Sequence, residues 1–179
     1  MIDPGLETGR LILRRWREAD RDPYAAMSAD PAVMDWLDGT RSRAESDARI
    51  DRFEAQLEQR GHGVLALERK ADGAFLGFAA LAVTDCPPPV PQGVEVGWRL
   101  ARHAWGFGYA TEAARPLLIH GFEHLGLDEI VSFTAAANLR SQAVMRRIGL
   151  ERHPDLNFDH PTFAEGHPLR PHVVYAARR

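Results

Sequence analysis

Two glycines one residue apart, Gly106 and Gly108, precede a stretch whose pattern predicts a helix over about residues 109–125. A glycine-rich turn that leads into a helix N-terminus is suited to binding phosphate, because unpaired backbone N–H groups and the helix dipole both face the anion. The segment HAWGFGYATEA, residues 103–113, therefore predicts a phosphate site. The turn alone does not identify the phosphate compound.

Other interpretations of this turn depend on its neighbours. A dinucleotide-binding fingerprint would need Gly or Ala where the chain has Thr111, and an acidic residue at the end of the next strand. Asp128 and Glu129 precede that strand instead. A Walker-type loop is excluded because no Gly-Lys-Ser/Thr sequence follows. For an isolated Gly-x-Gly, an ordinary structural turn is the favoured interpretation.

Composition favours a globular protein without a membrane segment. The chain has 179 residues and a formal net charge of −3, so nothing indicates a general nucleic-acid binder. We expect one domain over residues 1–179, because no linker divides the chain. The single cysteine, Cys86, suits a reducing cytosol. The N-terminal residues lack the apolar core of a signal peptide, and the apolar run 74–83 is too short for a membrane helix, so a cytoplasmic protein is expected.

Capping and turn signals place the secondary-structure elements. Asp30–Pro31 predicts the start of a short helix ended by Gly39, and Ser42 with Glu45 fits the capping box of a longer helix ended by Gly61. Strands are predicted at 10–16, 63–69, 75–83, 94–100, 129–135 and 172–177, and another helix runs from Asn138 to Gly149. Because strands and helices alternate only in the second half, we expect a mixed sheet with helices packed on it. The basic pairs Arg14–Arg15 and Arg146–Arg147 are expected on solvated faces.

Three segments resemble, in chain order, the acetyl-CoA-binding core of the GNAT acetyltransferase superfamily. They are EVGWRL at 95–100, WGFGYATEA at 105–113 and NLRSQAVMRRIGL at 138–150. Within that superfamily the chain is similar to the ribosomal-protein N-terminal (alanine/serine) acetyltransferases, through ETGRLILR at 7–14 and FEHLGLDEI at 122–130. The resemblance implies an α+β fold with a GNAT-type mixed, mostly antiparallel central sheet flanked by helices. It also implies that the central strands 94–100 and 129–135 are splayed.

The resemblance implies acetyl-CoA as cosubstrate and no metal. The pantetheine arm would lie in the gap between the splayed strands, bonded to backbone groups of Val96, Gly97 and Trp98. The pyrophosphate would lie on the amides from Trp105 to Ala110. The implied cofactor-binding residues are Val96, Gly97, Trp98, Arg99, Leu100, Trp105, Gly106, Phe107, Gly108, Tyr109, Ala110, Thr111, Asn138 and Ser141.

Two positions depart from the superfamily pattern. Arg or Gln often stands three residues before the first turn glycine, where this chain has His103 beside Arg102. We still expect the backbone amides to hold the pyrophosphate. Pro116 falls inside the predicted helix, where it removes one backbone hydrogen bond.

Acetyl transfer to an amine needs a donor that returns a proton to the departing thiolate. Many relatives have a Tyr for this seven residues after the Asn, where this chain has Met145. Ser141 lies one helical turn earlier on the same face and resembles the Ser with this role in the ribosomal-protein branch. It is therefore a candidate catalytic acid. The structural alternative is that Asn138 is a helix cap and Ser141 an ordinary first-turn residue.

Glu95 is the candidate base, acting directly or through water. Strand alternation predicts that it shares a face with Gly97 and Arg99, and burial there would raise its pKa toward a useful range. The alternative is a structural ion pair with Arg99 or a neighbouring strand. Weaker candidates for the base are His103, Asp85 and the pair Asp159–His160.

Histidine spacing elsewhere does not predict a metal site. His120 and His124 are four apart on a helix, but Glu123 is not where a zinc-protease helix requires it, so we expect surface histidines. The tail residues His153, His160, His167 and His172 are too evenly spread to specify a site. Trp36 and Phe53 are expected in the core, in a region that forms one wall of the acceptor cleft in relatives.

The sequence therefore predicts an N-acetyltransferase that moves an acetyl group from acetyl-CoA to a primary amine by direct attack. The acceptor would be a protein N-terminus or a small amine, with no nucleic-acid or membrane partner, and the protein a monomer or homodimer. One alternative is a non-catalytic acyl-CoA-binding sensor or interaction domain. Another is a nucleotide-phosphate binder that uses the same turn.

Overall fold

The structure, a computed structural model, describes residues 6–84 and 87–179. Asp85, one weaker candidate for the base, and Cys86 lie outside the described residues. The helices are α1 (Arg21–Ala29), α2 (Pro31–Met34), α3 (Arg43–Arg60), α4 (Tyr109–Glu123) and α5 (Leu139–Arg147). The strands are β1 (Leu6–Glu7), β2 (Leu11–Arg14), β3 (Val64–Arg69), β4 (Phe75–Val83), β5 (Val94–Leu100), β6 (Glu129–Ala135), β7 (Glu151–Arg152), β8 (Phe158–Asp159) and β9 (Pro171–Arg178).

In the described part of the chain, nine strands form one sheet in the order β1-β2-β3-β4-β5-β6-β9-β7, and β8 also pairs with β9. The neighbours are antiparallel except β5 and β6, which are parallel. This arrangement confirms the expected mixed, mostly antiparallel α+β sheet.

The parallel pair β5–β6 is short. Only Val94 with Ile130 and Glu95 with Val131 are in register, whereas β5 pairs with β4 along its whole length, from Val94 to Leu100. Beyond Glu95 the two central strands diverge. The expected splay is therefore confirmed.

The two faces of β5 meet different helices. Val96 is buried opposite Leu81 of β4, and Gly121 of α4 lies against Leu81 and Ile130, so α4 covers this face. On the other face Arg99 lies opposite Phe78, whose ring contacts aromatic residues of α1 and α3. The N-terminal helices therefore cover the face that Glu95, Gly97 and Arg99 share.

Local signals explain most of the helix boundaries. Ser42 accepts a hydrogen bond from the Glu45 backbone and the Glu45 carboxylate accepts one from the Ser42 N–H, which starts α3 as the capping box predicts. Gly61 ends that helix in the left-handed conformation, with φ of 70°. The short helix after Asp30 ends at Met34, earlier than the predicted stop at Gly39. Helix α1 and strands β1, β7 and β8 were not predicted.

Arg14 corrects the expectation that the Arg14–Arg15 pair lies on a solvated face. Arg14 is buried, and its guanidinium donates to both oxygens of Asp20, at 2.7 and 2.9 Å, and to Glu68 at 2.7 Å. Arg15 is half-exposed and pairs with Glu54. The pair alternates along a strand, so one side chain points inward and requires a carboxylate partner.

Candidate active site

Strand β5 is open at Gly97 both on one face and along the edge toward β6. A Cβ atom built on Gly97 would meet no other atom within 4 Å, although the residue lies in a central strand. Since pairing with β6 ends at Glu95, the edge of β5 that faces β6 lacks a strand partner from Val96 onward. An extended ligand that adds to a strand edge needs such an unpaired edge.

The glycine turn is open as well. Gly106 and Gly108 have φ of 84° and 81°, in the left-handed region that favours glycine. Gly108 is the N-cap of α4, and no side chain caps that helix. A Cβ on Gly106 would meet nothing within 4 Å. The first amides of α4 are thus suited to binding an anion.

The hairpin of β1 and β2 holds this turn in place through Glu112, in the first turn of α4. Glu112 accepts hydrogen bonds from the Thr8 hydroxyl at 2.6 Å, the Arg10 N–H at 2.9 Å and the Arg10 Nε at 2.8 Å. Arg10 Nη2 also donates to the Phe107 carbonyl at 3.0 Å, and its guanidinium lies 4.6 Å from the ring centre of Tyr109. Burial raises the pKa of Glu112, but the hydrogen bonds from Thr8 and Arg10 outweigh this effect and hold that pKa below its ordinary value.

The residues that hold the turn were not predicted. Arg10 and Glu112 are 102 positions apart, and neither local spacing nor periodicity connects them. Of the predicted turn residues, Phe107 is 55% exposed, whereas Tyr109 is buried beneath Arg10. Thr111 is half-buried in the first turn of α4.

Trp105 connects the turn to β5 and α5. Its indole N–H donates to the Leu100 carbonyl at 2.9 Å. Leu100 is one of the predicted cofactor-binding residues, and its carbonyl therefore already accepts a hydrogen bond from within the protein. The Arg140 guanidinium lies 5.3 Å from the centre of the Trp105 ring. These contacts bring α5, the turn and the end of β5 together, as the resemblance implies for the binding core.

Asn138 caps α5. Its side-chain oxygen accepts from the Ser141 N–H at 3.1 Å, and its amide nitrogen donates to the Thr134 hydroxyl at 3.1 Å. Asn138 therefore acts as a helix cap, which is the structural alternative given for it above. Ser141 is half-buried at the start of the helix, whereas Met145 is only 1% exposed and packs in the core.

Glu95 and Arg99 lie on the predicted face of β5 but do not form an ion pair. Glu95 is half-buried, and its Oε2 is shielded from solvent. Arg99 Nη1 contacts Met34 Sδ at 3.6 Å, and its guanidinium lies 5.2 Å from the centre of the Phe78 ring. No carboxylate of residues 6–84 and 87–179 forms an ion pair with Arg99. The four-residue separation from Glu95 spans about 13 Å of strand.

The weaker candidates for the base have other surroundings. His103 is exposed on the short turn Arg102–Ala104. Asp159 pairs with Arg170 at 3.1 Å, and the His160 ring lies 4.8 Å from that of His172. Asp159 and His160 therefore take part in contacts within the tail.

A groove of about 590 Å³ lies between the loop after α2 and the tail. Asp35, Leu37, Asp38 and Gly39 line one side, and residues from Thr162 to Leu169 line the other. The loop after α2 thus forms one wall of this groove. Phe53 belongs to the aromatic cluster with Trp16, Tyr24 and Phe78, as expected for a core residue.

One histidine expectation needs correction. His120 is 7% exposed, so it is not a surface residue, and its ring stacks on His124 at 5.0 Å. The fold also brings His160 and His172 of the tail into contact, beside Phe158 and Phe163. In the part of the chain that the structure describes, no group of three or more His, Cys, Asp or Glu side chains is placed to hold a metal ion. Among the described helices, none has the length and apolar character needed to span a membrane.

Comparison with known proteins agrees with this geometry. The acetyltransferase (GNAT) domain family matches residues 10–151. An FsC-acetyl coenzyme A-N(2)-transacetylase of Aspergillus fumigatus is 32% identical over 152 residues, which cover 82% of this chain and 65% of the fungal protein. The chain thus spans slightly under two thirds of that relative's length.

Solved structures share the fold along nearly the whole chain. An acetyltransferase from Agrobacterium tumefaciens has a TM-score of 0.78 and 28% identity, over 100% of this chain and 96% of that one. A ribosomal-protein-S5-alanine acetyltransferase from Vibrio fischeri has a TM-score of 0.76 and 15% identity, over 98% and 97% of the two chains, which shows a common fold. With the splayed strands and the open glycine turn, these matches show that the chain belongs to the GNAT family of acetyl-CoA-dependent N-acetyltransferases.

Proposed function

We propose that this protein transfers the acetyl group of acetyl-CoA directly to a primary amine. The observation that carries the proposal is the unpaired edge of β5 at Gly97, next to the uncapped N-terminus of α4. One extended ligand with a pyrophosphate group at one end fits both features. An activated nucleophile is not needed, because the amine itself attacks the thioester.

In the proposed complex the pantetheine arm pairs with backbone groups of Val96, Gly97 and Trp98. The pyrophosphate accepts hydrogen bonds from amides between Trp105 and Ala110, where the positive end of α4 favours an anion. An N–H group of β5 polarises the thioester carbonyl and stabilises the oxyanion. The left-handed glycines of the turn and the absence of a capping side chain support this placement.

The transfer step forms a C–N bond and breaks the C–S bond of the thioester. The amine loses a proton, which Glu95 accepts directly or through water, and the thiolate of CoA gains one, which Ser141 donates while its hydroxyl regains a proton from water. The shielded Glu95 Oε2 on the face of Gly97 supports the first role. The half-buried position of Ser141 beside the buried Met145 supports the second, because Met145 has no proton to donate.

The acceptor binds in the cleft between the N-terminal helices and the tail. The groove lined by Asp38 and Phe163 supports this position, since one of its walls follows Met34, which contacts Arg99 on the face that Glu95 shares. A protein N-terminus and a small amine are both compatible with a groove of about 590 Å³. The acetyltransferase from Vibrio fischeri that shares the fold is described as acting on a ribosomal protein, which supports a protein N-terminus.

Release of free CoA from acetyl-CoA tests the proposal, with a panel of primary amines and short peptides as acceptors. Glu95→Gln and Ser141→Ala should each lower kcat/KM by roughly a hundredfold, as loss of general acid–base catalysis does. Glu123→Gln, an exposed change on α4, is the matched control and should leave turnover unchanged. Unchanged turnover in both site variants would contradict the assigned roles.

A second candidate function is binding of acyl-CoA without catalysis. The buried Met145, at the position where many relatives have a proton-donating Tyr, favours it. In that case the protein would bind acetyl-CoA but release no CoA with any amine in the panel. Turnover with even one acceptor would exclude this alternative.

A further inference from the structure

Arg99 is a cation on the acceptor side of β5. It follows Gly97 by two positions and shares its face, so about 7 Å of strand separates the two residues. Its guanidinium packs between Met34 Sδ, at 3.6 Å from Nη1, and the ring of Phe78, whose centre is 5.2 Å away. One contact surface is a thioether and the other is an aromatic ring, and neither neutralises the charge.

The charged groups around Arg99 leave it without compensation. Desolvation, with smaller contributions from the charges of Arg49 and Arg41, lowers the pKa of Arg99 to about 10 against opposing effects from Tyr24 and Asp38. Asp38 forms its own ion pair with Arg41. A desolvated cation without a carboxylate partner is costly in a folded protein. Arg14, by contrast, binds two carboxylates in the same fold.

A second polar group on this wall also lacks a partner. Tyr24 is fully buried, and its hydroxyl forms no hydrogen bond with the described residues. Its ring lies 6.4 Å from that of Phe78, the ring that Arg99 also contacts. An unsatisfied buried donor in a native structure requires an explanation, and a bound ligand group is one.

The groove begins next to a residue that Arg99 contacts. Asp35, which lines its wall, directly follows Met34, whose Sδ lies 3.6 Å from Arg99 Nη1. A molecule bound between the loop after α2 and the tail would therefore lie near the Met34 end of the Arg99 environment. A guanidinium binds a carboxylate through two parallel hydrogen bonds and is suited to such recognition.

We propose that the acceptor is a primary amine that also carries a carboxylate, and that Arg99 binds this carboxylate while the amine faces Gly97. This inference rests on the proposed acetyl transfer and adds the substrate class. Arg99 selects and orients the acceptor, and it takes no part in proton transfer. The carboxylate can belong to a small amino acid or to an acidic residue near a peptide N-terminus.

A series of ω-amino acids and their amides tests the proposal. The wild type should acetylate the best amino acid at least tenfold more efficiently, by kcat/KM, than the matching amide, and the difference should lie in KM. Arg99→Met, which keeps a long apolar side chain and removes the charge, should abolish that ratio by lowering kcat/KM for the acid to that for the amide. Arg52→Gln, at an exposed position of α3, is the matched control and should keep the ratio. Equal use of acid and amide by the wild type, or an unchanged ratio in Arg99→Met, would overturn the proposal.

Two further measurements separate this inference from the proposed function. If no amine is acetylated, calorimetric titration of the CoA-bound protein with 4-aminobutyrate and its amide still reads the carboxylate preference. Preferential binding of the acid that is lost in Arg99→Met supports the inference, and equal or absent binding of both overturns it. The peptides Ala-Asp-Ala and Ala-Asn-Ala, both with amidated C-termini, distinguish the source of the carboxylate, since preference for the Asp peptide indicates a protein N-terminus.

The stability of Arg99→Met separates substrate binding from a structural role. A merely structural arginine would destabilise the fold when removed. Since Arg99 has no carboxylate partner among the described residues, we expect the melting temperature of the variant to equal or exceed that of the wild type. A clear decrease in melting temperature together with an unchanged acid-to-amide ratio would assign Arg99 to structure alone.

Discussion

Glu112 accepts a hydrogen bond from the backbone N–H of Arg10 at 2.9 Å, although 102 positions separate the two residues. The same carboxylate receives the Arg10 guanidinium, which also donates to the Phe107 carbonyl within the glycine turn. The edge of the sheet therefore determines the position of the turn that we propose to bind the pyrophosphate. Arg10 and Glu112 can therefore affect ligand binding through the position of the turn, without contacting the ligand.

Glu112→Gln should lower the free energy of unfolding by about 1–3 kcal/mol, because it replaces charge-assisted hydrogen bonds with neutral ones. It should also weaken acetyl-CoA binding several-fold. The folded-state pKa of Glu112 is lowered, so its stabilising contribution is present above the ordinary carboxyl pKa and is lost as the pH falls through the folded-state value.

Chemical denaturation at neutral pH and near pH 3, with Glu123→Gln as control, checks this prediction. The stability difference between wild type and Glu112→Gln should shrink at the lower pH. A difference that is equal at both pH values would contradict the charge-based explanation.

Asp20→Ala should destabilise the protein by about 3–5 kcal/mol, because it leaves the buried Arg14 without its bidentate partner. Asp20 also accepts from the Arg17 N–H at 2.7 Å, which adds to the loss. Urea denaturation measures the change. Asp72→Ala, which removes an ion pair from the exposed Arg69–Asp72 turn, is the control and should have little effect. Equal effects of the two substitutions would show that burial of Arg14 does not decide the cost.

Protonation of buried histidines should make the protein less stable as the pH falls below about 6.5. Burial lowers the pKa of His172, and nearby His160 lowers it further, against the raising effect of a backbone hydrogen bond to the Arg170 carbonyl. The unfolded chain then binds more protons than the folded one as the pH falls through the ordinary histidine range. His172→Phe should reduce the loss of stability between pH 7.5 and 5, as measured by urea denaturation.

His103→Gln is the control for this comparison, because His103 is exposed. It should leave the pH dependence as in the wild type. If His172→Phe keeps the full pH dependence, His172 is not a source of it.

Gly97→Val should reduce acetyl transfer by at least tenfold while the fold persists. The new side chain meets no protein atom within 4 Å at its Cβ, and valine suits a strand, so stability should change little. It would instead fill the space where the thioester and amine meet. Gly93→Val is matched, because that glycine also has open space around it but precedes β5. Equal activity in the two variants would place the reaction elsewhere.

Much of the fold follows from local signals in the sequence. The strands at 75–83, 94–100 and 129–135 have the predicted bounds, because each combines apolar and β-branched residues with clear turn signals at its ends. The helix start at Asn138 and the stop at Gly61 follow from capping chemistry that operates within a few residues.

What the sequence did not predict depends on tertiary contacts. Helix α1 contains Pro23 and only Tyr24 and Met27 as large buried apolar residues, so its pattern is too weak to detect. Strands β7 and β8, of two residues each, exist only because β9 is available to pair with them.

In the candidate site, too, some features were predicted from local sequence and others depend on tertiary contacts. Gly106 and Gly108 were identified from their spacing, and the face of Glu95 and Arg99 from strand alternation. The connection from Arg10 to Glu112 is invisible at a separation of 102 positions. That Arg99 packs against Met34 of α2 and Phe78 of β4, and not against a carboxylate, depends on tertiary positions that no local pattern supplies.

The central claim is that β5 and the glycine turn bind acetyl-CoA. Calorimetric titration of the purified protein with acetyl-CoA, beside ATP and NAD, tests it most directly. The account predicts saturable binding of acetyl-CoA at one site per chain, with neither ATP nor NAD competing. Absence of acetyl-CoA binding by folded protein, or equal binding of ATP, would contradict it.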